Sequence, residues 1–133
     1  MHLVQNVDPP LPRLVQACGD EAPAELREAA AGLRQVAVRC VNLGVALRPG
    51  ERCLTDKHWI YYPEDTVFHR IFVQGNASPH CNPPGGFGLT CEITYGPLKP
   101  LPCDGDALIR RCIDDCVKVG LIVESGEPRE THH

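Results

Sequence analysis

Rings, two histidines and an arginine gather in and just after "WIYYPEDTVFHRIF", which runs from Trp59 to Phe72. Trp59 and Tyr61 stand two apart and therefore share a face if the segment is a strand. An aromatic surface with a hydroxyl at its rim suits a small organic ligand; core packing is the competing use of the same rings. His69 and Arg70 are adjacent and point to opposite sides of a strand. Either one can meet a substrate or be an ordinary member of a half-solvated strand, satisfied by local hydrogen bonds. His80 falls in a stretch rich in Gly, Pro and Asn, and loops are where ligand contacts concentrate. The candidate substrate-binding residues are thus Trp59, Tyr61, His69, Arg70 and His80. No catalytic set assembles around them: Ser78 lacks the G-x-S-x-G setting of a hydrolase elbow, and no residue is assigned a catalytic role.

Eight cysteines bring a second kind of chemistry. An even count in a chain of this size is one mark of a disulfide framework. Cys40 and Cys91, however, lie in apolar strand-like runs, and Cys112 and Cys116 are four apart in a helical pattern, so most are expected to be buried thiols. No C-x-x-C pair occurs and only Cys81 adjoins a histidine, His80, which is poor spacing for zinc; no metal ligand is assigned. A stand-alone cysteine-rich module, sensing metal or redox state through Cys81, Cys103, Cys112 and Cys116, is the alternative reading.

Composition narrows the class. With 133 residues, 43% hydrophobic and 23% charged, the chain has the profile of one globular domain with a real core. A net charge of -4 and the lack of a basic stripe argue against nucleic acid as a partner. No apolar run approaches the roughly 18 residues of a membrane span, and "MHLVQNVDPP" lacks the character of a signal peptide, so the expected setting is cytoplasmic and free of membrane.

The elements that must hold the candidates follow from periodicity. A lead-in and short helix occupy 1–18, with Leu11, Leu14, Val15 and Cys18 at helical spacing. A second helix follows, capped by Asp20, with Pro23 in its first turn and Leu26, Ala29, Ala30 and Leu33 on one face. "QVAVRCVNLGV" is rich in β-branched residues and apolar on both faces toward its end, as in a central strand covered on both sides. Pro49-Gly50 marks a turn. "HWIYY" and "TVFHRIFV" form a hairpin around Pro63, Glu64 and Asp65. About fifteen residues of loop, "QGNASPHCNPPGGFG", come next, and their Asn76-Ala77-Ser78 has the form of a glycosylation acceptor but reads as a turn. "LTCEITY" alternates strictly, with Thr90, Glu92 and Thr94 on the wetter face. The last helix is capped by Asp104, builds its apolar face from Leu108, Ile109, Cys112, Ile113, Cys116 and Val117, and stops at Gly120. "LIV" could open another strand before a polar tail, 124–133, whose His132 and His133 read as appended residues. The sum is an α+β fold: a largely antiparallel, mixed sheet of about four to five strands with helices packed on one face. The glycine cluster "PPGGFG" lacks G-x-G-x-x-G spacing and precedes a strand, so it carries no dinucleotide fingerprint.

"TDKHWIYYPEDTVFHRIFVQGNASPHCNPPGG" followed by "LTCEITY" resembles the substrate domain of FAD-dependent oxidoreductases of the amine-oxidase and protoporphyrinogen-oxidase superfamily, in the branch similar to UDP-galactopyranose mutases. The shared order is a helix like "DEAPAELREAAAGL", a strand like "VAVRCVNLGV", a W-I-Y-x-P-E hairpin, an N-x-S-P turn, a "PPG" loop and an E-I-T-Y strand, over roughly Gly19 to Ile122. The resemblance implies a substrate-binding domain at 19–123, inserted in a larger flavoprotein whose FAD sits in a separate dinucleotide-binding domain. That missing domain and a small-molecule substrate are then the partners, the fragment alone holds no FAD and is inactive, and apolar surface left uncovered favours self-association. The flavin-contacting glycines and acidic ribose-binding residue of the family have no counterparts here.

Overall fold

Among the described residues four strands pair in the order β1-β4-β3-β2, each pair antiparallel: β1 Ala37–Ala46, β2 Trp59–Tyr61, β3 Arg70–Val73 and β4 Gly86–Tyr95. This computed structural model describes residues 10–34, 36–63 and 65–123; the start of the lead-in, Glu64 and the polar tail 124–133 lie outside the described residues. With helices α1 Pro10–Ala17, α2 Ala24–Ala31, α3 Gln74–Ala77 and α4 Gly105–Lys118, the architecture is the expected α+β fold on an antiparallel sheet.

Strand alternation decides where the core lies. Phe87, Leu89, Cys91 and Ile93 of β4, Ile71 and Val73 of β3 and Val41 of β1 all bury one face of the sheet. Against that face α4 lays Leu108, Cys112 and Cys116, four residues apart as one helical stripe requires. Full burial of a side chain such as Leu108 is worth roughly 2–3 kcal/mol, and this stripe is what fixes α4 to the sheet. The helix begins where Asp104 accepts the Gly105 N–H at 2.8 Å and ends before Gly120, whose φ of +76° suits a residue without Cβ.

One buried carboxylate ties α4 to the hairpin. Asp115 accepts the Val67 N–H at 2.7 Å and the Arg111 Nε at 3.1 Å, while Lys118 Nζ donates to the Asp65 carbonyl at 2.8 Å. The loop between β2 and β3 is therefore positioned by the helix as much as by its own strands.

Several expectations are corrected. Among the described residues β1 is an edge strand; its odd-numbered residues are half-buried apart from the buried Val41, and its even-numbered ones are exposed apart from the half-buried Cys40. The long loop is shorter than expected, because Gln74–Ala77 forms a helical turn, Pro79–Cys81 a 3-10 turn, and β4 begins at Gly86. Asn76 fixes that turn by donating from Nδ2 to the Thr55 and Lys57 carbonyls at 2.8 and 2.9 Å. The strand at "TVFHRIFV" is reduced to Arg70–Val73, and Leu121–Val123 is not a strand. α2 starts after Pro23, not at Asp20, and of its expected apolar face only Ala30 is buried. α1 and α2 instead share a small core of Val15, Ala22 and Ala30, leaving Leu14, Leu26 and Leu33 exposed. Among the described residues no helix is long and apolar enough to cross a membrane.

Candidate binding face on the open side of the sheet

The sheet face turned away from α4 is built as two rungs. Tyr61, Arg70, Glu92 and Cys40 stand opposite one another across β2, β3, β4 and β1, and Trp59, Phe72, Thr90 and Asn42 form the next rung two residues along. A two-residue repeat in each strand sends all eight side chains to the same side.

Arg70 is the centre of the first rung. Its Nε and Nη2 both donate to Glu92 Oε2, the Nε bond measuring 2.9 Å, and its Nη1 donates to the Tyr61 hydroxyl at 3.2 Å. The guanidinium also lies 4.5 Å from the Trp59 ring centroid and 5.5 Å from that of Tyr61. Hydrogen bonding to Tyr61, and then to Glu92, pushes the already high Arg70 pKa further up, so the cation is permanent. Glu92 is 8% exposed, and a carboxylate that deeply covered is tolerable only with such a partner. Burial, followed by the Glu92 charge, raises the Cys40 thiol pKa at the end of this rung.

The second rung stacks Trp59 on Phe72, with ring centroids 4.3 Å apart at an interplanar angle of 23°. Beside them runs a polar relay: Gln74 Nε2 donates to Thr90 Oγ1 at 2.6 Å, and Thr90 Oγ1 donates to Asn42 Oδ1 at 2.7 Å. Gly88 makes room for it, since a Cβ there would overlap Gln74 Oε1. Trp59 is 44% exposed and Tyr61 65% exposed, far more than core rings. The face offers a stacking surface, a hydroxyl and amide groups around a neutralised ion pair. That equipment suits holding a flat or polyhydroxylated molecule.

The structure brings Trp59, Tyr61 and Arg70 together. His69 does not join them: it precedes β3, its backbone bonds Glu92 and Tyr62, and its Nδ1 is buried without a hydrogen-bond partner. His80 is exposed on the 3-10 turn and belongs to neither rung. Sequence reasoning missed Glu92, Phe72, Thr90, Asn42 and Gln74 as members of the face. The alternation of "LTCEITY" was the available signal, but it needed the register of β3 on β4 to become a site.

Of the eight thiols, only Cys91, Cys112 and Cys116 are buried; Cys40, Cys53 and Cys103 are half-buried, and Cys18 and Cys81 are exposed. This corrects the expectation of mostly buried thiols: the three buried ones lie in the core between the sheet and α4, and the other five lie outside it or at its margin. Hydrogen bonding to the Cys112 and Cys116 sulfurs, with burial, raises the Cys91 thiol well above its ordinary range, and Cys91 and Cys116 sulfurs lie 3.8 Å apart. Among the described residues no group of three or more His, Cys, Asp or Glu side chains is arranged to hold a metal ion.

A cleft of about 860 Å³ opens beside α4, but it lacks aromatic side chains and three of its cations are already engaged, Arg111 by Asp115, Lys118 by the Asp65 carbonyl and Lys99 by Thr94. Gly85-Gly86 leads into β4 and does not open a helix, and the first amide of α4 is occupied by the Asp104 carboxylate, so neither place offers the free helix N-terminal amides that a pyrophosphate takes.

No protein-family model matches the chain, and no curated protein sequence matches it. Among solved structures, the crystal structure of reduced UDP-galactopyranose mutase is similar over 87% of this chain, at a TM-score of 0.71 and 25% sequence identity. The chain spans 25% of the length of that chain, so the likeness is to one part of the enzyme, and it falls in the branch to which the sequence resemblance points.

Proposed function

We propose that this chain is the substrate-binding unit of an FAD-dependent oxidoreductase related to UDP-galactopyranose mutases, and that the open face around Arg70 and Trp59 receives the substrate. Flavin, carried by a separate dinucleotide-binding unit, would supply the redox chemistry; this chain's residues bind and orient. The observation that carries the reading is the paired rungs: exposed aromatic rings beside a neutralised Arg70–Glu92 pair, on the side of the sheet away from α4.

Trp59 is the single tryptophan, so its fluorescence reports on this face alone. Titration with UDP-galactose, the first ligand suggested by the similar structure, is expected to give a saturable change that Tyr61→Ala and Arg70→Met weaken at least roughly tenfold, the loss of about 1.4 kcal/mol. A signal that never saturates, or one unchanged in both variants, refutes the placement of the site. Stoichiometric FAD retained by this chain through gel filtration refutes the division of labour.

A further inference from the structure

We propose that β1 is a pairing edge: two copies of the chain join β1 to β1, antiparallel, about a two-fold axis at Asn42, to form one eight-stranded sheet. The backbone defines the occupant. Leu47 N–H donates to the Gly85 carbonyl at 2.8 Å, continuing the register in which Ala46 faces Gly86. Counting back by twos, the odd-numbered residues of β1 bond β4, and Val38, Cys40, Asn42, Gly44 and Ala46 turn their N–H and C=O groups to the outside. Water satisfies such a row in the monomer, and a second extended backbone satisfies it by pairing.

The two ends of the sheet are treated differently. β2 is three residues long and is followed at once by Tyr62 and Pro63, so that edge is blunted. β1 is ten residues long, pairs with β4 without a bulge, and holds neither proline nor lysine. Its one charge, Arg39, is drawn to Asp104 at 3.2 Å and does not guard the edge. Val38, Asn42, Gly44 and Ala46 are exposed, and nothing lies within 4 Å of a Cβ built on Gly44.

The outward set is symmetric about Asn42, which makes the edge complementary to itself. Asn42 meets Asn42 of the second copy, Cys40 meets Gly44, and Val38 meets Ala46; every outward group finds one partner and no like charges face each other. The relay from Gln74 through Thr90 ends at Asn42, so an amide pair across the axis would join the relays of the two copies. Both binding faces would then lie on the same side of a continuous sheet.

Sedimentation equilibrium in reductant, from low micromolar to near-millimolar protein, is expected to pass from monomer to dimer. Over the same range, hydrogen exchange at the Val38, Cys40, Asn42, Gly44 and Ala46 amides should slow by roughly tenfold or more, while Val41 and Leu43 stay protected throughout. Gly44→Pro removes one outward N–H and sets a ring against the second strand, so it should keep the fold by circular dichroism and abolish the dimer; Asn42→Lys, setting like charges on the axis, should weaken it. A monomer at every concentration, a dimer whose even-numbered amides exchange as before, or a dimer that survives Gly44→Pro overturns the proposal.

Discussion

Replacing Arg70 by methionine keeps much of the apolar stem beside Trp59 but strands the Glu92 carboxylate. The Arg70 side chain is 31% exposed and that of Glu92 10%, so the two partners do not suffer equally. Breaking a fully buried pair costs about 3–5 kcal/mol, and an exposed pair contributes less than about 1 kcal/mol. Arg70→Met leaves the more buried charge alone and should cost about 2–3 kcal/mol, or roughly 7–11 °C in Tm for a chain of this size. Glu92→Leu leaves Arg70 with Tyr61, two rings and a route to water, and should cost only about 1 kcal/mol. The double variant removes both charges and should lie within about 1 kcal/mol of the parent, more stable than Arg70→Met alone. Urea unfolding followed by far-UV circular dichroism measures all three, with a constant m-value as the check on two-state behaviour. If Glu92→Leu costs as much as Arg70→Met, or the double variant costs the sum, the burial argument is wrong.

Asp115→Ala removes the acceptor of the Val67 N–H and should destabilise the fold by about 2–3 kcal/mol, with faster hydrogen exchange across 65–68; exchange unchanged there would contradict the clamp. Gly88→Ala should cost about 1–3 kcal/mol by pushing on Gln74, and most of that should return in Gly88→Ala/Gln74→Ala, whereas Gly44→Ala should change stability by less than about 0.5 kcal/mol in chemical denaturation. Alkylation followed by mass spectrometry should label Cys18 and Cys81 first, and Cys91, Cys112 and Cys116 only on unfolding. Cys40 should lag at pH 8 and accelerate as pH rises, because a raised pKa leaves less thiolate at mild pH; a fast, pH-flat Cys40 would refute that.

What the chain disclosed on inspection was local. The α4 cap at Asp104, its buried stripe and the alternation of β4 each rest on residues a few positions apart. The edge position of β1 was hidden because "VAVRCVNLGV" is apolar on both faces whether or not a second layer covers it. The turn at Gln74–Ala77 has four residues, too few for a period, and is held by Asn76 reaching Thr55 and Lys57. Tyr61 and Trp59 could be paired on one strand from spacing alone. Joining Arg70 to Glu92 required a register between segments 22 residues apart, which no short-range pattern contains.

Cys91, Cys112 and Cys116 fill the heart of the molecule as small apolar groups. Heat that opens the core releases them among five other thiols, and without reductant, oxidation then locks in pairings the native arrangement has no place for. For such a chain the practical measure of durability is how seldom its interior opens, a rate counted in hours on the bench, and a melting curve that does not retrace itself on cooling is its signature.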